Sequence, residues 1–164
     1  MDNQIKTKLA INAFNIIRDT PYRLDIASKD CSCSSKAKML GEILIRLGFS
    51  IRVKIALFDW RDLPIPQDIA NLGHKKFGIS KHYFISVKDK TTEGWVKIDP
   101  TWDSGLKNIF PIAKWDGKTN TILAVPTNNI KAYEGTIADL AFKNRGGNEF
   151  AIRLNKWLEE VRPK

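Results

Sequence analysis

The chain has 164 residues, of which 43% are hydrophobic and 27% charged, and this length and composition predict a single globular domain over residues 1–164. No apolar run is long enough to cross a bilayer and the first residues lack a secretory signal pattern, so we expect a cytoplasmic protein without a membrane partner. The net charge of +9 is spread along the whole chain, which favours a solvated basic surface and leaves nucleic acid as a less favoured partner.

The first predicted element is a helix over residues 4–18, and an irregular stretch follows over residues 21–31. Apolar residues recur at helical spacing in the first segment, and Asp19-Thr20-Pro21 interrupts this pattern. The spacing predicts a packing helix whose buried face is formed by Ile5, Leu9, Ala13, Ile16 and Ile17.

A second predicted helix begins at the two cysteines. Its buried face follows the spacing i, i+3, i+4, i+7 in Leu40, Ile43, Leu44 and Leu47, and Gly48 ends it. With Ser32 as the N-cap, Cys33 is the first helical residue, where free backbone N–H groups and the helix dipole stabilise a thiolate. Cys31 lies only two positions away, so a disulfide between the two would be strained and a reduced Cys33 is expected.

Three further segments are predicted as strands. In residues 51–58 apolar and polar side chains alternate with period two, which predicts a strand with one buried face. Residues 83–87 and 95–98 are predicted to form a hairpin connected by residues 88–94. A symmetric hairpin places His82 directly opposite Asp99, with Cβ atoms roughly 4.5–5.5 Å apart. Residues 59–80 contain prolines and glycines with little periodicity, which predicts a long loop that acts as a lid or contacts the substrate.

The C-terminal part of the sequence is less regular. A strand is predicted at residues 121–125, and Gly146-Gly147-Asn148 opens a final helix whose buried face contains Phe150, Leu154, Trp157, Leu158 and Val161. Core packing is the favoured use of most of the five tryptophans, which include Trp60, Trp102 and Trp115, and lining of a substrate cleft is the alternative. The resulting fold class is α+β, with N-terminal helices packed on an antiparallel sheet.

Cys33, His82 and Asp99 supply the three functional groups of a thiol-based acyl-transfer site. The thiolate is the nucleophile, the imidazole moves protons, and the carboxylate orients the imidazole. Because the predicted helix places Cys33 on the side that packs against the sheet, we expect its sulfur to face His82. Each residue alone is more often structural, so the prediction depends on their occurrence together.

These segments resemble the transglutaminase-like superfamily, which is related to papain-type cysteine proteases. The resemblance covers residues 30–103 and rests on Asp30 to Ala37, the following helix with Gly48 and Arg52, Lys81 to Phe84, and Ile98 to Asp103. It implies a transglutaminase-like core, with residues 104–164 as a C-terminal extension and helix. It also implies that Cys33 is the nucleophile, His82 the base and Asp99 the orienting residue, with no cofactor.

The chain departs from the family pattern at two points. Lys36 occupies a position near the cysteine where many relatives carry an aromatic residue, and no upstream Trp or Gln is identified for the oxyanion hole. The backbone N–H of Cys33 and the side chain of Tyr22 are the predicted oxyanion donors. The sequence contains no dense carboxylate loop, so calcium dependence is not expected.

The preferred functional prediction is therefore an enzyme acting on a protein or peptide substrate, with hydrolysis favoured over transamidation. Two other classes remain open. One is a zinc-binding module using Cys31, Cys33, His74 and His82, whose spacing matches no standard zinc knuckle. The other is a catalytically silent transglutaminase-like module that binds peptide or nucleic acid through its basic surface.

Overall fold

The computed structural model describes residues 2–24, 30–90, 92–140 and 148–163. Within these residues it has an α+β fold with four helices and a four-stranded antiparallel sheet. The helices are α1 (Asn3–Asp19), α2 (Cys33–Arg46), α3 (Gln67–Phe77) and α4 (Glu149–Val161). The strands are β1 (Ser50–Phe58), β2 (Ser80–Lys88), β3 (Val96–Ile98) and β4 (Ile130–Ala132), in the sheet order β3-β2-β1-β4. No helix of these four has the length and apolarity needed to cross a bilayer.

The sheet separates two hydrophobic clusters. Successive side chains of a strand point to opposite faces, and Phe84 and Ile85 accordingly belong to different clusters. Helices α1 and α2 pack into the cluster of Ile85, whereas α3 and α4 contribute to the cluster of Phe84. Burial of both sheet faces explains why β2 is buried at four consecutive positions, residues 84–87.

Helix α1 is confirmed, but most of its predicted buried face is wrong. Ile5, Leu9 and Ile16 are about half exposed or more, at 52%, 45% and 70%. The buried apolar positions follow the spacing i, i+4, i+7: Ala10, Phe14 and Ile17. Phe14 packs against Trp115, with ring centroids 5.9 Å apart, and this distant partner decides which side of the helix is covered.

Helix α2 is confirmed from Cys33 onwards. Leu40 and Leu44 are fully buried, whereas Ile43 is 37% exposed. Gly48 follows the helix with a φ of +85° and donates its N–H to the Ile45 carbonyl, 2.9 Å away. A positive φ at the end of a helix favours glycine, which is the physical reason for the stop predicted at this position.

The long loop predicted over residues 59–80 is wrong, because this segment contains a 3₁₀ turn (Trp60–Asp62) and helix α3. Ile69 and Ala70 are buried on the helix. Gly73 allows α3 to pack closely against its neighbours, since a Cβ at this position would lie 2.8 Å from atoms of Trp60 and Phe150. A glycine required by a tertiary contact therefore produced the appearance of a loop.

The hairpin of β2 and β3 is confirmed, but its register differs by two residues from the prediction. Ile85 pairs with Ile98, and Val87 pairs with Val96. The turn is closed by a hydrogen bond from the Thr92 N–H to the Asp89 carbonyl. One residue separates Asp89 from Val87, the last residue of β2 that pairs with β3, whereas three residues separate Thr92 from Val96 of β3. The β3 side of the hairpin therefore holds two more residues than the β2 side. An even shift leaves every side chain on its expected face, and Asp99 remains on the same face as His82, one diagonal step away.

The strand predicted at residues 121–125 is wrong. The segment has no regular secondary structure and donates one backbone hydrogen bond to β3, from the Thr121 N–H to the Lys97 carbonyl over 2.9 Å. The strand in this part of the chain is β4, which pairs antiparallel with β1. Residues 121–125 instead lie beside Asp99, where their polar groups serve the site described below.

The final helix is confirmed as α4. The Asn148 side chain caps it by accepting the Ala151 N–H over 3.0 Å, which is the usual role of Asn at a helix N-terminus. Phe150, Leu154 and Leu158 are buried, whereas Trp157 and Val161 are partly buried. Gly146 and Gly147, predicted to precede the helix, lie outside the described residues.

Candidate active site

Cys33 occupies the first position of α2 and its side chain is partly exposed. Ser32 precedes it in an extended conformation and donates its hydroxyl to Asp30 Oδ2 over 2.7 Å, so it occupies the N-cap position without capping through its side chain. The first backbone N–H groups of a helix have no partner within the helix. The Cys33 sulfur therefore lies where the helix dipole favours negative charge.

His82 and Asp99 form a buried pair. His82 Nε2 lies 2.7 Å from Asp99 Oδ2, and the two residues are 2% and 1% exposed. The His82 ring is flanked by Phe84, stacked at 6.3 Å between centroids, and by Phe58, in an edge contact at 6.4 Å. Because Asp99 uses Nε2, the ring nitrogen that remains for Cys33 is Nδ1.

Two other groups hold the Asp99 carboxylate, and a third holds its backbone. Thr101 donates its hydroxyl to Oδ1 over 2.6 Å, and the Ala124 N–H donates to Oδ2 over 2.8 Å. The Asp99 N–H donates to the Thr121 hydroxyl over 3.0 Å. Burial opposes the charged form, but the His82 charge and these hydrogen bonds outweigh it and lower the pKa of Asp99.

The pKa of His82 is raised above its ordinary value. Burial by itself favours the neutral ring, but the negative charge of Asp99, the hydrogen bond to it and the interaction with Cys33 more than reverse this effect. A protonated imidazole donates from both ring nitrogens. His82 can therefore stabilise Asp99 through Nε2 and a thiolate at Cys33 through Nδ1.

A narrow crevice opens beside Cys33 and His82. It holds about 30 Å³ of space, which is enough for at least one water molecule. Its walls are mainly aromatic and aliphatic: Tyr22, Leu24, Phe58, Trp60, Leu63 and Trp102. Such walls exclude bulk water and strengthen electrostatic interactions at the reacting atoms.

Two residues that line this crevice each have a buried side-chain atom without a hydrogen-bond partner among the described residues. These atoms are Trp60 Nε1 and Ser80 Oγ. Trp60 is only 5% exposed, and an indole N–H can only donate. A buried donor without an acceptor costs free energy, so the Trp60 N–H has unused hydrogen-bonding capacity among the described residues.

Lys36 is a buried basic residue of α2 that connects two segments of the site. It is fully buried, and its ammonium donates to the carbonyls of Arg18 and Thr101 over 2.8 and 2.9 Å. Burial lowers the pKa of Lys36 to about 8. Because Thr101 also holds Asp99, Lys36 links the helix that carries Cys33 to the segment that carries the carboxylate.

Tyr22, the predicted oxyanion donor, also lines the crevice. Its backbone N–H donates to Asp103 Oδ2 over 2.9 Å, and Arg162 donates to its carbonyl over 3.0 Å. Its ring packs on Trp102, with centroids 4.6 Å apart. Arg162 also forms an ion pair with Asp103 at 2.8 Å, so the residue after α4 helps to fix this wall of the crevice.

The zinc site that the sequence left open as an alternative is not assembled. His74 lies on α3 with its Nδ1 2.8 Å from Asp59 Oδ2, whereas His82 is paired with Asp99. Across residues 2–24, 30–90, 92–140 and 148–163, no group of three His, Cys, Asp or Glu side chains is arranged to hold a metal ion. Cys31 is a free thiol whose pKa is raised, mainly by burial.

The sequence predicts Cys33, His82, Asp99 and Tyr22 as site residues, and it gives no role to Ser80 or Ala124. For Trp60 core packing is the preferred prediction and a substrate cleft the other one, whereas the Ala124 contribution is a backbone N–H that leaves no signal in residue type. Comparison with known proteins adds no further residues: no family model, no curated protein and no solved structure matches this chain. The functional argument therefore rests on the geometry of the site.

Proposed function

We propose that this chain is a cysteine-dependent acyl-transfer enzyme with a transglutaminase-like core, and that it hydrolyses an amide or peptide bond. One observation carries the proposal. A cysteine at a helix start interacts with a buried imidazole whose other nitrogen lies 2.7 Å from a buried carboxylate. A nucleophile, a proton carrier and an orienting group in this order are the parts required for acyl transfer through a thioester.

In the proposed reaction the Cys33 thiolate forms a bond to the substrate carbonyl carbon, and the carbonyl oxygen becomes an oxyanion. Collapse of this intermediate breaks the C–N bond, and His82 Nδ1 gives its proton to the departing amine, which leaves a thioester. Water then attacks the thioester while His82 takes its proton. The C–S bond then breaks with the Cys33 thiolate as the leaving group, which releases the carboxylic acid and restores the Cys33–His82 pair.

The oxyanion requires donors on the crevice side of Cys33. The backbone N–H of Cys33 is one, because a helix start leaves it without an intrahelical acceptor. Trp60 Nε1 is the best supported second donor, since it is buried, lines the same crevice and has no acceptor among the described residues. Tyr22 also lines the crevice and is the alternative donor.

An adjoining groove suits the part of the substrate next to the scissile bond. It has a volume of about 560 Å³ and meets the crevice at Leu63 and Val125. Most of its remaining lining is apolar, including Phe110, Ile122 and three prolines, Pro64, Pro111 and Pro126. We expect the acyl donor to present apolar side chains here, because their burial supplies about 25 cal/mol per Å² of apolar surface removed from water.

The decisive experiment uses p-nitrophenyl acetate as a general acyl donor. We expect intact mass spectrometry and peptide mapping to show one acetyl group on Cys33 in the wild type. Cys31→Ala is the matched control, because it removes the neighbouring thiol and leaves Cys33 in place. Cys33→Ala should give no acetylated protein, and acetylation that persists at equal rate in this variant would overturn the proposal.

The same assay separates hydrolysis from transamidation. The acetylated protein is isolated and incubated with and without an added primary amine. Release of acetate at the same rate in both samples supports hydrolysis, because water alone then resolves the thioester. Formation of the N-acetyl amine as the main product would show that the site prefers an amine acceptor.

A further inference from the structure

A basic groove lies at the end of the sheet opposite to Cys33. It has a volume of about 800 Å³ and is formed by the start of α1, the end of α2, the start of β1 and the turn after β2. Four basic side chains and one carboxylate line it: Lys6, Arg52, Lys88, Lys90 and Asp89. Trp95 completes the lining and is partly exposed.

The carboxylate in this groove is already engaged. Asp89 lies 2.6 Å from the ammonium of Lys6, which also donates to the Gly48 carbonyl over 3.2 Å. No carboxylate in the described part of the chain lies within ion-pairing distance of Arg52, Lys88 or Lys90. The groove therefore keeps three positive charges without a partner from these residues.

The sheet register extends this positive surface. Arg52 pairs with Ser86, and Ser86 pairs with Lys97 on the next strand. Directly paired residues project from the same face of a sheet. The Arg52 and Lys97 side chains are thus two strands apart, about 10 Å, and Lys97 likewise has no ion-pair partner among the described residues.

Trp95 gives the groove an aromatic surface. The Arg52 guanidinium carbon lies 4.1 Å from the centroid of the Trp95 ring. Stacking of this kind holds the guanidinium while its N–H edge stays available, and that edge matches the two oxygens of a phosphate. Free cations beside an aromatic ring in a groove are the features that bind an unpaired nucleic acid strand.

We propose that this groove binds single-stranded nucleic acid, with phosphates on Arg52, Lys88 and Lys90 and a base against Trp95. A single strand fits better than a duplex, because the base faces of a duplex are stacked on one another and cannot reach an aromatic side chain. The site is separate from the Cys33 crevice and shares no lining residue with it. The proposal therefore does not rest on the proposed enzymatic function.

The test measures fluorescence anisotropy of a labelled oligo(dT) of about 12 nucleotides, a length within the range of known single-strand sites. With three phosphate contacts, the logarithm of the binding constant should fall with the logarithm of salt concentration with a slope of about −2. The double variant Arg52→Gln/Lys88→Gln should reduce this slope to about −0.7. Trp95→Ala should weaken binding about tenfold.

The matched control is Lys75→Gln/Lys76→Gln, which removes the same charge from exposed residues at the end of α3. It should bind like the wild type, and an equal loss in this control would overturn the proposal in favour of diffuse surface charge. An oligo-glutamate with the same charge as the oligo(dT) should displace the labelled oligo(dT) poorly. Equal competition with no effect of Trp95→Ala would show an acidic polypeptide ligand and also overturn it. Alkylation of Cys33 at the wild-type rate verifies that each variant is folded.

Discussion

Strand β2 connects two regions with opposite charge environments, a buried ion pair near its start and exposed cations at its end. Near its start, His82 is 2% exposed and its ring nitrogen lies 2.7 Å from Asp99. At its end, Lys88 is exposed and has no ion-pair partner among the described residues. A buried charge is stable only when it is paired, whereas an exposed cation remains hydrated and can exchange its counterions for a ligand.

This difference teaches what each region can do. The buried pair holds the His82 ring in a fixed orientation, which suits proton transfer beside the neighbouring sulfur. The exposed cations gain from association with an anionic partner and lose little when they are free, which suits reversible binding. The comparison predicts that changes at one end of β2 leave the other end unaffected.

The largest expected effect comes from Asp99→Asn. The amide cannot stabilise an imidazolium as a carboxylate does, so the acetylation rate of Cys33 should fall by about 10³- to 10⁴-fold. Single-turnover mass spectrometry with p-nitrophenyl acetate measures this rate. Affinity for oligo(dT) should stay at the wild-type value in the same protein. A wild-type acetylation rate would show that Asp99 is only structural, and a parallel loss of oligonucleotide binding would break the separation of the two ends.

Trp60→Phe should lower the acetylation rate by about 10²-fold, because one oxyanion donor contributes roughly 3 kcal/mol to transition-state stabilisation. Phenylalanine keeps a six-membered aromatic ring in place of the indole, so the packing against Phe58 and Phe150 is largely preserved. Trp115→Phe is the matched control, since Trp115 Nε1 is also buried without a partner among the described residues but lies in the other cluster. If Tyr22→Phe lowers the rate and Trp60→Phe does not, Tyr22 is the second donor.

The buried pair also predicts a pH dependence of stability. The pKa of His82 is raised from 6.5 to about 10, so its contribution to folding is complete below about pH 6.5 and is lost as the pH rises through about 10. We therefore expect the unfolding free energy of the wild type, relative to His82→Gln, to decline over this interval. Urea denaturation at a series of pH values measures the difference. Lys36 titrates in both proteins and cancels, and a difference independent of pH would contradict the predicted ion pair.

The smallest expected effect is that of Gly73→Ala on the wall that carries Trp60. The added Cβ would lie 2.8 Å from atoms of Trp60 and Phe150, and overpacking of this kind costs about 1–3 kcal/mol of unfolding free energy. Gly94→Ala is the control, because a Cβ there would have no heavy-atom neighbour within 4 Å. Equal unfolding free energies of the two variants would show that α3 can shift away from Trp60 without loss of stability. Acetylation should slow in Gly73→Ala, while oligo(dT) binding should not change.

The two ends of β2 also differ in how far they could be predicted. The site residues were identified because a helix start at Cys33 and a hairpin with His82 and Asp99 depend on local patterns. The contact between His82 and Asp99 is present even though the register is shifted by two residues, since an even shift preserves the face. The basic groove was not predicted, because Arg52 is distant in sequence from Lys88 and Lys90 and is brought beside them by the pairing of β1 with β2.

The incorrect predictions depend on features that side-chain patterns in the sequence do not show. The buried face of α1 is decided by Trp115, and the glycine that suggested a loop at Gly73 is required by Trp60 and Phe150. The two extra residues in the second arm of the hairpin likewise leave no signal in a pattern of alternating side chains. In each case a partner distant in sequence, or the backbone itself, determined the result.

The sequence by itself determined the α+β class, the start of α2 at Cys33 and the identity of the residues that could perform acyl transfer. These depend on capping, periodicity and side-chain chemistry, which act over a few neighbouring residues. Only the tertiary structure decided that Ala124 holds Asp99, that Lys36 links α2 to Thr101, and that Trp60 faces the crevice. Those contacts join segments far apart in the chain, and only packing around a common core brings them together.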